Sequence, residues 1–479
     1  MKRKNNRCLA AVLVACLSAG SLLACASPAK TATTTAAAAP AGAQTAAPAA
    51  TAASEQSAAP DTQAPAAPSA AQPTETSAPA APKSVSGEFT IWAHDDSLTV
   101  YNSEFAKQHP DVKVNLVVMD DDDIRTKLKA VLSAGGTPPD AVLIEIGMWQ
   151  ELMELPIWED LTKAPYDGGS LYAEQYDYIR QMSTNAKGEL VGMTNQATPA
   201  GYYYRRSIAK EALGTDDPAE IAKLLQDWDT VAATGKTVYE KTGRGLFSTI
   251  NDVVQLKSNL SATPWVVGDR IMVTEDMLST LDITKALDES KVLGRLEMWG
   301  PEWTADLENG EVSMGLFIAT WLMPYNIKTD AASTKGDWGF AQFIGPQFMG
   351  GSWFGIPSGA ANKEQAWAYI STVCGNHEFL EWFDTELGDF SSNKVVNEAM
   401  AVKYGPDEWW GGQNVLQAFS DVAGAANSSI MYPYQSTVLS CMRGAVREYC
   451  YNGATREEAV ALLLNNFETR LPDLEIVQE

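Results

Sequence analysis

Positive charge, histidine and cysteine are all scarce in this 479-residue chain, and each shortage removes a class of function. Lysine and arginine number 35 against 60 aspartates and glutamates, a formal net charge of −25. Six of those bases and three of the acids precede residue 87, so residues 87–479 hold 29 bases and 57 acids. Arg205 and Arg206 are the only adjacent bases in that stretch. A surface of this sign repels phosphate backbones, which excludes nucleic acid as a partner. The three histidines, His94, His109 and His377, are too few and too scattered to mark a catalytic centre. No G-x-S-x-G or H-E-x-x-H occurs, and Gly235-Lys-Thr237 lacks the earlier glycine of a phosphate loop. Beyond the amino terminus, no apolar run approaches the roughly 18 residues needed to cross a bilayer.

What the amino terminus does contain is an export signal. Lys2, Arg3, Lys4 and Arg7 precede the apolar run Cys8–Leu17, and the small residues Ser18, Gly20 and Ser21 follow. A basic region, a short apolar region and small residues describe a secretory signal peptide, expected over residues 1–24. Leu22-Leu23-Ala24-Cys25 resembles a bacterial lipobox, in which the cysteine thiol is lipidated and becomes the new first residue. A plain signal peptide with a chance cysteine is the alternative. Two acyl chains would anchor the protein stably to the outer face of the membrane. Cys374, Cys441 and Cys450 then remain, an odd number. Cys441 and Cys450 would point opposite ways on one helix, so buried free thiols are expected.

Residues 26–86 include 25 alanines and nine prolines but no aromatic, a composition that cannot bury a core and predicts a disordered tether. All 43 aromatics fall in residues 87–479, where any core must form. There Phe89–Ala93, Val112–Val118 and Ala141–Ile144 read as strands. Between the last two, Ile124, Leu128, Val131 and Leu132 recur at helical spacing. Strand–helix–strand alternation predicts an α/β fold with largely parallel sheets. Asn362 with Gln365, and Thr455 with Glu458, have capping-box spacing ahead of two later amphipathic helices. The first of these helices puts Cys374 on its core face. Asp120–Asp123 invites a calcium reading but lacks the glycine and distal glutamate of an EF-hand loop. Acids ahead of Ile124 more simply favour a helix amino terminus.

The order of segments over 87–479 resembles the bacterial solute-binding family that includes maltose-binding protein. The resemblance runs through Gly87-Glu-Phe-Thr-Ile-Trp92, Lys127–Asp140, Gly188–Gly192 and Pro199–Arg205. Asn309–Trp321 is its most distinctive part, followed by Gly336–Gly339, Gly350–Pro357 and the helix from Asn362. The resemblance implies a two-lobed periplasmic-binding-protein-like fold, with hinge strands and an interlobe ligand cleft. It implies crossings near Thr198, Gly355 and Gly388. Lobe one would then comprise 87–197 and 356–387, and lobe two 198–355 and 388–479. It implies a monomeric, extracytoplasmic receptor without catalysis or cofactor. Such a receptor would deliver a carbohydrate, an oligosaccharide first of all, to the permease of an ABC importer.

By the same resemblance, His94, Asp95 and Asp96 after the first strand would meet ligand hydroxyls, which carboxylates accept well. A solvated loop or helix cap explains any one of them nearly as well. Glu145 and Trp149 hold the equivalent place after the third strand, although Trp149 could pack with Leu152 instead. Gln196, Thr198 and Tyr202 lie at the first crossing; Tyr202, Tyr203 and Tyr204 alternate if extended, so all three cannot face a cleft. Trp321 aligns with a ligand-stacking tryptophan of the family. For Trp265, Trp353, Trp410 and Tyr432, core packing is as good an explanation as ligand contact. Flat apolar rings suit the C–H faces of a sugar. A secreted glycosidase could still hide a carboxylate pair among 57 acids, and an adhesive or signalling lipoprotein would show neither ligand nor closure.

Overall fold

The computed structural model describes residues 85–428 and 431–479. The signal peptide, Cys25 and the tether expected over 26–86 lie outside the described residues but for its last two.

The expected opening strands form: β1 (Gly87–Ala93), β2 (Val112–Val118) and β3 (Ala141–Glu145). β1 pairs in parallel with both of the others. The chain continues through β4 (Pro199–Arg205), β5 (Gly245–Phe247), a hairpin of β6 (Val266–Val267) and β7 (Arg270–Val273), and β8 (Ser313–Ala319). β9 (Trp338–Ala341), β10 (Gln347–Phe348), β11 (Ser352–Gly355) and the terminal β12 (Glu475–Gln478) complete the set. The first sheet has the order β11-β3-β1-β2, and the second β10-β4-β8-β5 with β9 also on β4. The third, β12-β7-β6, is small.

Two lobes follow from these sheets, and their junction differs from the expected boundary. Ser352–Gly355, expected in lobe two, pairs antiparallel with β3 and so belongs to the first sheet. The return occurs at Gly350 and Gly351, whose φ values of 71° and 105° favour glycine. Three segments converge there. Met349 donates its N–H to the Thr198 carbonyl at 3.0 Å, and Ala197 donates to Phe390 at 3.0 Å. Gln196 bridges Ser391 across an antiparallel contact.

Alternation along β4 divides the core. Tyr203 joins the first-sheet residues, with Leu316 and Ile318, in one buried apolar cluster. Tyr202 and Tyr204 face the other way, into the cluster containing Phe317, Ala319 and Trp265. All three tyrosines are fully buried, as the two-residue period of a strand between two packed layers requires.

Helix ends mostly follow the sequence. Asp120 caps Asp121–Ser133 by accepting from Asp123 N at 2.8 Å, and Thr455 with Glu458 closes a capping box. Asn362 and Gln365 do not. Buried Asp140 takes the Asn362 backbone and side-chain N–H groups at 2.7 and 3.2 Å, and also Thr90 N at 2.8 Å. The carboxylate thereby ties the start of helix Lys363–Gly375 to β1 and takes the Asn362 backbone N–H that a box would give to Gln365. Cys374, Cys441 and Cys450 are buried free thiols.

Candidate functional site

A cavity of about 570 Å³ opens at the carboxyl ends of β1, β3 and β8, where an open α/β sheet exposes backbone and loops rather than core. Its walls differ in chemistry. One wall is the polar loop after β1 and the end of β3. His94 shares a 2.7 Å hydrogen bond with Ser352, and its other ring nitrogen lies 3.5 Å from the Asp95 carboxylate. Asp95 in turn accepts from Ser97 N at 2.9 Å, fixing the turn. Asp96 completes the loop on the cavity surface.

Glu145 ends β3 and caps the short helix Ile146–Leu152, accepting from Gly147 N at 2.8 Å. The same oxygen accepts from the Ser436 hydroxyl at 3.3 Å, so Glu145 reaches helix Gln435–Tyr451 on the opposite wall. Burial raises its carboxyl to about 7, and the neighbouring Asp121 carboxylate pushes the same way.

The opposite wall carries rings and a guanidinium. Trp321 follows β8, half-buried, with its indole N–H aimed at Met349 O at 3.4 Å. Trp299 stacks on it with ring centres 5.4 Å apart. Tyr325 shares a 2.8 Å hydrogen bond with Tyr101 deeper in the cavity. Gln435 and Arg443 line the same wall, eight residues apart on one helical face. Gln435 Nε2 and Arg443 Nε are buried donors without an acceptor. A donor left so costs about 1–3 kcal/mol, which a ligand oxygen would recover.

Of the residues named from sequence, His94, Asp95, Asp96, Glu145, Gln196 and Trp321 line this cavity together. Gln196 also donates to the buried Asp389, whose carboxyl burial raises to about 7. The others go elsewhere, each with its polar atom or ring satisfied by the interior. Trp149 donates to Met182 O at 3.0 Å and lies 5.2 Å from Trp158. Trp353 donates to the Ser183 hydroxyl at 2.9 Å and Trp265 to that of Ser261 at 3.0 Å. Tyr202 donates to Leu246 O at 2.6 Å, and Tyr432 pairs with Ser258 at 3.1 Å. Trp410 packs on Tyr203 and Phe419. Thr198 is buried and donates to Gly350 O at 3.0 Å, bracing the crossing from beneath.

Sequence reading missed Trp299, Tyr325, Gln435 and Arg443. The i, i+8 spacing of Gln435 and Arg443 was a usable signal; nothing local marks Trp299. The run Asp120–Asp123 is engaged in capping, in ion pairs with Arg125 and Lys127, and in accepting Glu145 N. Among the described residues no group of His, Cys, Asp or Glu is arranged to hold a metal.

The family model described as bacterial extracellular solute-binding protein matches residues 101–410, well over half of the chain. The chain belongs to that family. A lactose-binding protein of Rhizobium radiobacter is 25% identical to this solute-binding protein over 375 residues, covering 70% of this chain and 82% of the relative. Among solved structures, an extracellular solute-binding protein family 1 member superposes with a TM-score of 0.69 at 20% identity, covering 80% of this chain and 99% of its own. The binding protein of B. animalis subsp. lactis Bl-04, solved with beta-1,6-galactobiose, gives 0.63 at 18% identity over 82% and 100%. These likenesses establish the two-lobed fold of the solute-binding protein.

Proposed function

We propose that this protein is the lipid-anchored receptor of an ABC importer and binds a carbohydrate, an oligosaccharide by preference, reversibly and without chemistry. The observation that carries the reading is the composition of the cleft: stacked indoles on one wall, and carboxylates and an imidazole on the other. Rings cover the apolar C–H faces of a sugar while polar groups fix its hydroxyls. The unpartnered donors of Gln435 and Arg443 add two hydrogen bonds available to neutral ligand oxygens. The relative named for lactose and the similar structure solved with galactobiose support a sugar over other solutes.

Closure would turn on the three adjoining crossings at 196–199, 349–351 and 388–391, with the lobes divided there. Purified protein titrated calorimetrically with neutral sugars should release heat and rise in melting temperature, because a ligand bound only to the native state stabilises it. No stabilisation by any mono- or oligosaccharide defeats the proposal, and product formation would return the glycosidase reading. The permease contact and the anchor belong to the same proposal. Mass spectrometry of the mature amino terminus should find diacylated Cys25, and Cys25→Ala should abolish the lipid. A free thiol there, or cleavage elsewhere, defeats the anchor.

A further inference from the structure

The cleft does not end at Trp299. A second cavity of about 420 Å³ opens beyond it, bounded by Asn251, Glu297, Ser440 and Arg447, and it shares Trp299, Met349 and Arg443 with the first. Helix Gln435–Tyr451 runs along both. Ser436 and Leu439 face the first cavity, Ser440 and Arg447 the second, and Arg443 both. From Ser436 to Arg447 that face is about 16 Å long at 1.5 Å per residue.

We propose that the second cavity is a distal subsite, which takes the continuing units of a linear neutral oligosaccharide whose first units fill the first cavity. The inference rests on the carbohydrate reading above. Trp299 is the dividing ring. It is the third residue of the turn Glu297–Gly300, closed by Gly300 N to Glu297 O at 2.9 Å. Its φ is 70°, a conformation that turns usually give to glycine or asparagine. It nonetheless leaves 57% of its surface exposed. Such a placement costs on two counts, strain and apolar exposure, and neighbours hold it there: Trp303 at 5.0 Å and Trp321 at 5.4 Å.

The remaining lining suits hydroxyls. Arg443 Nε stands between the cavities without an acceptor, and the Asn251 side chain, half-buried at the start of helix Ile250–Asn259, faces the second. Arg447 pairs with Glu297, so that end of the wall selects neither sign of charge.

The test is calorimetric titration of the full exported protein with two neutral series, galacto-oligosaccharides and malto-oligosaccharides, from di- to pentasaccharide. Affinity in the series that binds should climb with length past the disaccharide. Asn251→Ala should weaken the longest ligand about fivefold, the weight of one hydrogen bond, and leave the disaccharide unchanged. Arg447→Ala, an exposed position on a helix face, should show the same length dependence if Asn251→Ala folds poorly. Affinity that is flat beyond the disaccharide, or variants that weaken every length equally, would overturn the subsite while leaving the carbohydrate reading intact. Binding of no sugar at any length would overturn both.

Discussion

The tryptophans of the cleft and those of the core are the same residue put to opposite uses. In the core, Trp149, Trp158, Trp265 and Trp353 each donate the indole N–H to an interior acceptor at 2.7–3.0 Å. In the cleft, Trp321 makes only a long 3.4 Å contact, and Trp299 stays half in water. An aromatic thus becomes available to a ligand when its neighbours leave a face or an edge unspent. Ring chemistry alone does not decide it.

The contrast breaks first at the core. Trp265→Ala should cost about 3–5 kcal/mol of stability in denaturant unfolding, through lost transfer energy and a residual cavity, with sugar affinity kept in the folded fraction. Next comes Trp321→Ala, which gives up on the order of 100 Å² of ligand contact, about 2.5 kcal/mol or roughly 50-fold in affinity. Unfolding should change much less. The reverse pattern, intact affinity with a large stability loss, would move Trp321 into the core class. Trp299→Ala should weaken binding by about tenfold and shift stability by less than about 1 kcal/mol, since its ring is exposed.

A further effect concerns the opposite wall. In the unfolded chain Glu145 ionises near 4.5, whereas in the folded protein it holds its proton up to about 7. The folded state therefore binds more protons across that window, and stability falls as pH rises from about 4.5 to 7. Glu145→Gln should flatten this decline, narrowing the difference in unfolding free energy between pH 4 and pH 8. An unchanged slope would place the titration on another group.

Fold and cleft were not equally legible in the sequence. β2 matches its expected range, and β1 and β3 extend theirs by two residues and one, because short apolar, β-branched runs between turn residues mark strands whether they lie at the centre or the edge of a sheet. Six of the thirteen candidate ligand residues line the cavity, mostly those placed by strand ends: His94, Asp95, Asp96, Glu145 and Gln196, with Trp321 after β8. The other aromatic candidates fared worse. Trp149, Trp265, Trp353, Trp410, Tyr202 and Tyr432 are all buried, since a large ring reads alike in sequence whether it faces a cleft or a core. The failed cap at Asn362 has a different origin. Asp140, more than 200 residues away, out-competes the local box, and no window around Asn362 contains that information. Trp299 was missed for a related reason, because its use depends on Trp303 and Trp321 meeting it in space.

The exposure of Trp299 gives the molecule an optical reporter of its own. Of its 14 tryptophans, Trp299 is the most exposed to water; seven are buried and the other six are partly buried. It should therefore dominate the red edge of the intrinsic emission. A solute seated against it replaces water with a less polar surface, so occupancy would be read as a blue shift without any attached dye. The stacked Trp321 offers a short path for energy transfer, and the size of the shift would record how far the two rings separate when the cleft fills.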